Sequence, residues 1–161
     1  MSAELIEALR EKLAQLQKMR RHLAYSHDKI MSWWQVDADF DGWNEEQLES
    51  LAAFKGRFAE FQDHLASAMK LIAGIEEKDS RQFTYVLNYM VQLNVLDSMD
   101  EWQAVRTLRN AAIHDYSETE SIKAMHFHRL LANTHYLFET QDSLAQFTAT
   151  AYPEKNRKQL L

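Results

Sequence analysis

Apolar residues recur every three or four positions along most of this chain, the spacing of one buried helix face. In a first segment, from about Ala3 to Trp34, they are Leu9, Leu13, Leu16, Leu23, Ile30 and Trp34, with His27 filling one slot. The acidic stretch from Val36 to Gly42 has turn composition and predicts a loop. Asn44 then reads as an N-cap, with Glu45 and Glu46 in the first turn, where the helix dipole favours carboxylates. The second helix carries Leu51, Phe54, Phe58, Phe61, Leu65, Ala68 and Ile72 in a near-heptad stripe suited to bundle packing. Gly74 and the Glu76–Asp79 cluster close it.

A third helix is expected from about Arg81 to Leu96. It is apolar nearly all round, which predicts a place in the middle of the bundle. Ser98-Met99-Asp100-Glu101 reads as a capping box for a fourth helix, with Trp102, Val105, Leu108 and Ile113 as its apolar positions. Ser117-Glu118-Thr119-Glu120 reads as a second box opening a fifth helix to about Thr148, packed through Ala124, Phe127, Leu131, Thr134 and Phe138. These elements predict an all-α fold, an up-and-down antiparallel bundle of about five helices. Residues 1–150 form one domain in this reading, and 151–161 a polar, basic C-terminal tail.

Composition narrows the class. Three glycines and one proline in 161 residues leave little turn chemistry for a multi-stranded sheet. The absence of cysteine removes any disulfide framework and fits a reducing compartment. No run of 18 apolar residues occurs, and the amphipathic, charged N-terminus does not resemble a signal peptide. A cytoplasmic protein is therefore expected. The net charge of −6 argues against a general nucleic-acid coat protein, because phosphate affinity needs a basic footprint. The charge is uneven, however. Residues 1–100 carry 11 Lys and Arg against 17 Asp and Glu, whereas 101–161 balance at seven each. Arg106, Arg109, His114, His126, His128 and Arg129 fall in that second part.

Metal chemistry finds little support in the spacings. No Glu-x-x-His pair is present. His128 and His135 share a face but sit about 10.5 Å apart along the axis, too far for one ion without further ligands. No glycine-rich loop is available to cradle phosphate. The stretch from Leu108 to Tyr116 is more informative, because it gathers Arg, Asn, His, Asp and Tyr near a helix end. Asn110 and His114 are i, i+4 neighbours, so the amide can orient the imidazole. Arg109 and Tyr116 lie seven apart on nearly one face. Arg109 and His114 point about 140° apart on an ideal helix. A two-fold partner could bring guanidinium and imidazole to one phosphate across a symmetric interface. The same spacing also fits C-terminal helix cations that satisfy carbonyls, with Tyr116 as a core-edge aromatic.

Arg109-x4-His114-x-Tyr116, with Asn110 directly after the arginine, resembles the signature of the HEPN superfamily. Its His-x-Tyr end is similar to the HepT-like toxins and the related nucleotidyltransferase substrate-binding proteins. Arg57-Phe58-Ala59-Glu60-Phe61-Gln62, Leu93-Asn94-Val95-Leu96-Asp97 and Glu101-Trp102 are similar to the substrate-binding branch. The resemblance implies an all-α bundle that forms a homodimer, with two motifs beside each other in a cleft. For the toxin branch, part of a type VII-like toxin–antitoxin pair, it implies a metal-independent endoribonuclease with no cofactor. Arg109 would then stabilise the scissile phosphate and His114 would transfer protons at the ribose 2′-OH or the leaving oxygen. Asn110 and Arg106 would support the site. A requirement for the 2′-OH implies RNA rather than DNA as substrate. Tyr116 matches the tyrosine that receives AMP from a nucleotidyltransferase antitoxin, and the added phosphate would occupy Arg109 and block RNA. The other branch implies a non-catalytic partner subunit of a nucleotidyltransferase. No membrane partner is implied. Trp102, Tyr89 and Tyr85 are the candidate dimer contacts, and each fits a core position equally well.

Overall fold

The computed structural model describes residues 2–37, 40–113 and 119–154, with only the backbone of Ile113. They form five helices, α1 (Ala3–Met31), α2 (Glu45–Ile75), α3 (Phe83–Gln92), α4 (Met99–Ile113) and α5 (Glu120–Ala151). The fold is thus an all-α bundle. Among the described residues no helix is long and apolar enough to cross a membrane.

Local chemistry sets the helix ends. The Ser2 hydroxyl accepts the Leu5 N–H at the start of α1. At α2, Asn44 and Gln47 form a reciprocal capping box: Asn44 Oδ1 accepts the Gln47 N–H at 2.8 Å, and Gln47 Oε1 accepts the Asn44 N–H at 3.0 Å. The Ser98 hydroxyl accepts the Glu101 N–H ahead of α4. For α5 the cap is Thr119, whose hydroxyl accepts the Ile122 N–H, rather than Ser117, where the box pattern put it and which lies outside the described residues. At the C-terminal ends of α2 and α3, Glu77 and Asn94 adopt left-handed backbone conformations. Lys78 N–H then reaches Ala73 O, and Val95 N–H reaches Met90 O. This is the helix-ending motif in which a left-handed residue returns amides to the last carbonyls. It explains why α3 stops at Gln92 instead of continuing to Leu96.

The bundle is organised around α2, which packs against all four other helices. Its seven stripe residues, from Leu51 to Ile72, are all buried. Against them α1 buries Leu9, Leu16, Leu23 and Ile30, one residue every two turns. The contacts Leu5–Gly74, Lys12–His64 and Ser26–Arg57 run in opposite directions along the two helices, so α1 and α2 are antiparallel. Arg109 pairs with Asp63, and Lys55 reaches Ala112 O, which makes α4 antiparallel to α2 as well. α5 then returns alongside α2, with Phe61 against Phe138 and Tyr152 against Glu76. The up-and-down arrangement follows.

Several positions depart from expectation. α3 buries only Val86, Leu87 and Met90 and lies against α2 and α4, rather than at the centre. Its Tyr85 is exposed and its Tyr89 half-buried, whereas Trp102 of α4 is a core residue. In α5 the buried row includes Leu137 and Leu144 while Phe138 is half-buried. Thr134, Thr140 and Thr148 of that row satisfy their hydroxyls on the carbonyls four residues earlier. Tyr152, assigned from sequence to the tail, is buried: its hydroxyl donates to Glu76, and Arg10 Nη2 donates to its carbonyl. The basic tail residues Lys155, Arg157 and Lys158 lie outside the described residues.

Two consequences can be measured. Phe58 is fully buried in the α2 seam, so Phe58→Ala is expected to lower the unfolding free energy by about 3–5 kcal/mol in urea titrations. Burial raises the Tyr152 phenol above its ordinary value of 10.0, reinforced by Glu76. Burial and the nearby Glu101 raise Tyr136 as well. The unfolded chain ionises these phenols first, so their contribution is complete below about pH 10 and declines above it. The double variant Tyr136→Phe/Tyr152→Phe is expected to flatten the alkaline fall of stability, read from urea midpoints on either side of about pH 10.

Candidate functional site

On α4, Trp102, Arg106 and Arg109 are spaced i, i+4, i+7 and so form one row. Gln62, Asp63, Ala66, Ser67 and Lys70 provide the facing surface of α2, and Phe83 opens α3 beside them. These residues line a cavity of about 340 Å³. The row exists because the apolar stripe of α4 turns polar along one edge, while Gln62 and Asp63 directly follow the core residue Phe61 on α2.

Arg109 is fixed in this seam. Its Nη1 donates to Asp63 Oδ1 at 2.5 Å, and its side chain is 17% exposed while that of Asp63 is 59% exposed. The guanidinium Nε is buried and has no partner among the described residues. Two neighbours share that condition. Gln62 is 2% exposed, with neither its amide nitrogen nor its amide oxygen hydrogen-bonded, and Trp102 Nε1 is also buried without an acceptor. Each such group costs about 1–3 kcal/mol in desolvation. Their concentration around one cavity therefore calls for a reason beyond packing. Lys70 and Arg106 are exposed at its rim, and the Lys70 ammonium lies 5.4 Å from the Phe83 ring centroid, within cation–π range.

The structure thus brings Arg106 and Arg109 together on one cavity. Asn110 is exposed and outside that lining, about 100° around the helix from Arg109. His114 and Tyr116 lie outside the described residues. Sequence reasoning missed the α2 contribution of Gln62, Asp63 and Lys70. The available signal was Gln62 itself, an amide adjacent to the Phe61–Leu65 stripe and therefore on the buried flank of α2.

Three histidines have separate local partners: His64 meets Lys12, His27 meets Asp28 and His135 meets Glu139. Among the described residues no three His, Cys, Asp or Glu side chains converge as a metal site would require. A second, less polar groove runs between α4 and α5 past Val105, Leu108, His126 and Arg129, on a different side of α4 from Arg109. No protein-family model, curated protein or solved structure matches this chain.

Gln62 allows a direct test of the unsatisfied wall. Replacing an unpartnered buried amide by an apolar side chain of similar size removes a desolvation penalty. Gln62→Leu is expected to raise the unfolding free energy by about 1–3 kcal/mol, measured by urea unfolding.

Proposed function

We propose that this chain is a HepT-like toxin of the HEPN superfamily, a metal-independent endoribonuclease whose composite Arg109/His114 site forms at a homodimer cleft. The observation that carries the reading is the state of Arg109. Asp63 holds one end of its guanidinium, while its Nε is left without an acceptor beside a second arginine, Arg106. A guanidinium held in place by a carboxylate is preorganised to stabilise charge developing on a transferring phosphoryl group. The five-helix bundle, with Arg109 in the last part of α4, supports the same reading.

In this proposal Arg109 binds the scissile phosphate and His114 moves the proton at the 2′-OH or the leaving oxygen. Asn110 and Arg106 support them. Transfer of AMP to Tyr116 by a nucleotidyltransferase antitoxin would place a phosphate near Arg109 and silence the enzyme. A second reading, a non-catalytic subunit bound by a nucleotidyltransferase, is favoured by one feature of the same pair. Asp63 already neutralises Arg109 within its own chain, which weakens its pull on RNA.

Incubation of the purified chain with RNA, with and without a chelator, separates the two. The first reading expects cleavage that survives chelation, a dimer by light scattering, and a loss of about 10²-fold or more in Arg109→Ala and His114→Ala at unchanged helicity. Intact RNA from a folded protein, or a strict monomer at micromolar concentration, overturns it. On co-expression with a nucleotidyltransferase, a mass increment that disappears in Tyr116→Phe supports the antitoxin mechanism.

A further inference from the structure

The cavity between α2, α3 and α4 holds more hydrogen-bond donors than this chain uses. Lys70, Arg106 and Arg109 line it against one carboxylate, Asp63, in a protein whose overall charge is −6. Three of the residues that line it also carry buried polar atoms without partners among the described residues: the Trp102 indole N–H, both amide atoms of Gln62 and the Arg109 Nε. Asp63 is committed to Arg109, and the Ser67 hydroxyl donates to the Asp63 carbonyl at 3.2 Å. Apart from Gln62 Oε1, which itself accepts, the unpartnered atoms are donors, and the three cations beside them leave a demand for acceptors carrying negative charge.

We propose that this cavity binds the phosphate group of a small phosphorylated molecule, recognised by Lys70, Arg106 and Arg109. A phosphate presents three terminal oxygens to donors arriving from different helices, and arginine forks match that arrangement. A carboxylate offers two oxygens in one plane and meets fewer of these groups. The volume of about 340 Å³ lies within the range of small-molecule sites and exceeds what a bare ion would fill. Phe83 supplies an apolar wall for the organic part. Gln62 and Trp102 bear a desolvation cost at this cavity, as expected where a wall is retained for binding. The site shares Arg109 with the ribonuclease proposed above but needs neither a second copy nor RNA.

Calorimetric titration of the full chain with ribose 5-phosphate and with inorganic phosphate, at low ionic strength, tests it. Ribose 5-phosphate is expected to bind saturably and more tightly than inorganic phosphate. It should also shift the Trp102 indole N–H resonance, identified by its loss in Trp102→Phe. Lys70 and Arg106 are exposed, so Lys70→Ala and Arg106→Ala should fold normally and weaken binding at least about tenfold each, or about 1.4 kcal/mol. Arg21→Ala, on the exposed face of α1, should bind as the parent does. Absence of saturable binding, or affinity unchanged in both Lys70→Ala and Arg106→Ala, overturns the proposal. Binding of inorganic phosphate without ribose 5-phosphate overturns the organic ligand. A chain that binds ribose 5-phosphate yet leaves RNA intact keeps this site and loses the ribonuclease; one that cuts RNA and ignores ribose 5-phosphate does the reverse.

Discussion

Burial of the α2 stripe is the interaction on which the other features rest. Phe54, Phe58 and Phe61 occupy successive turns of its inward face, and the Phe54 and Phe58 rings meet edge to face at 6.0 Å. Each of the other four helices gains its place by covering part of this one. α1 takes the largest share, and its buried apolar residues recur every seven positions, with Ser26 buried beside them. Ion pairs and caps add direction to this seam without replacing it. Arg20, for example, lies 4.7 Å from the Phe138 ring centroid and donates to Gln141 and Asp142, fixing how α5 crosses α1.

The α2–α4 seam departs from that pattern. The buried threonines of α5 find acceptors on their own helix, whereas, among the described residues, Trp43 Nε1, His126 Nδ1 and Tyr136 Oη stand singly without partners elsewhere in the bundle. Between α2 and α4, an amide, an indole and part of a guanidinium are enclosed without partners. Proteins tolerate such local conflicts where a site requires groups that packing would not select. The Asp63–Arg109 pair orders the guanidinium and at the same time competes with any anion for it. The catalytic and non-catalytic readings therefore turn on the same bond.

The helices were legible because their signals are local. Asn44 and Ser98 mark helix starts by hydroxyl or amide chemistry a few residues from the amides they cap, and the Leu51–Ile72 stripe reports one buried face. The third helix was misjudged for a physical reason. Its uniform apolarity hid the left-handed conformation of Asn94, and hydrophobicity alone does not say whether a helix lies inside a bundle or along its flank. Trp102 fitted both the apolar positions of the fourth helix and a dimer contact, and its burial against α2 decides for the core. Arg106 and Arg109 were visible as local cations, whereas Asp63, which pairs with Arg109, and the other lining residues Gln62 and Lys70 lie some forty residues away, and no short-range pattern ties them to the arginines.

The aromatic cluster at the α1–α2 junction has a spectroscopic consequence. Trp33, Trp34 and Trp43 are linked there by ring contacts of 5.8–6.3 Å, and Trp43 also meets Phe40 and Phe127. The remaining tryptophan, Trp102, stands alone in the α2–α4 seam. Three of the four tryptophans therefore sit at one end of the bundle, and the change of their emission on denaturation reports the release of that end. Helical ellipticity, by contrast, averages over all five helices. Coincidence of the two signals would establish cooperative melting, and an earlier optical transition would mark the junction as the first part to open.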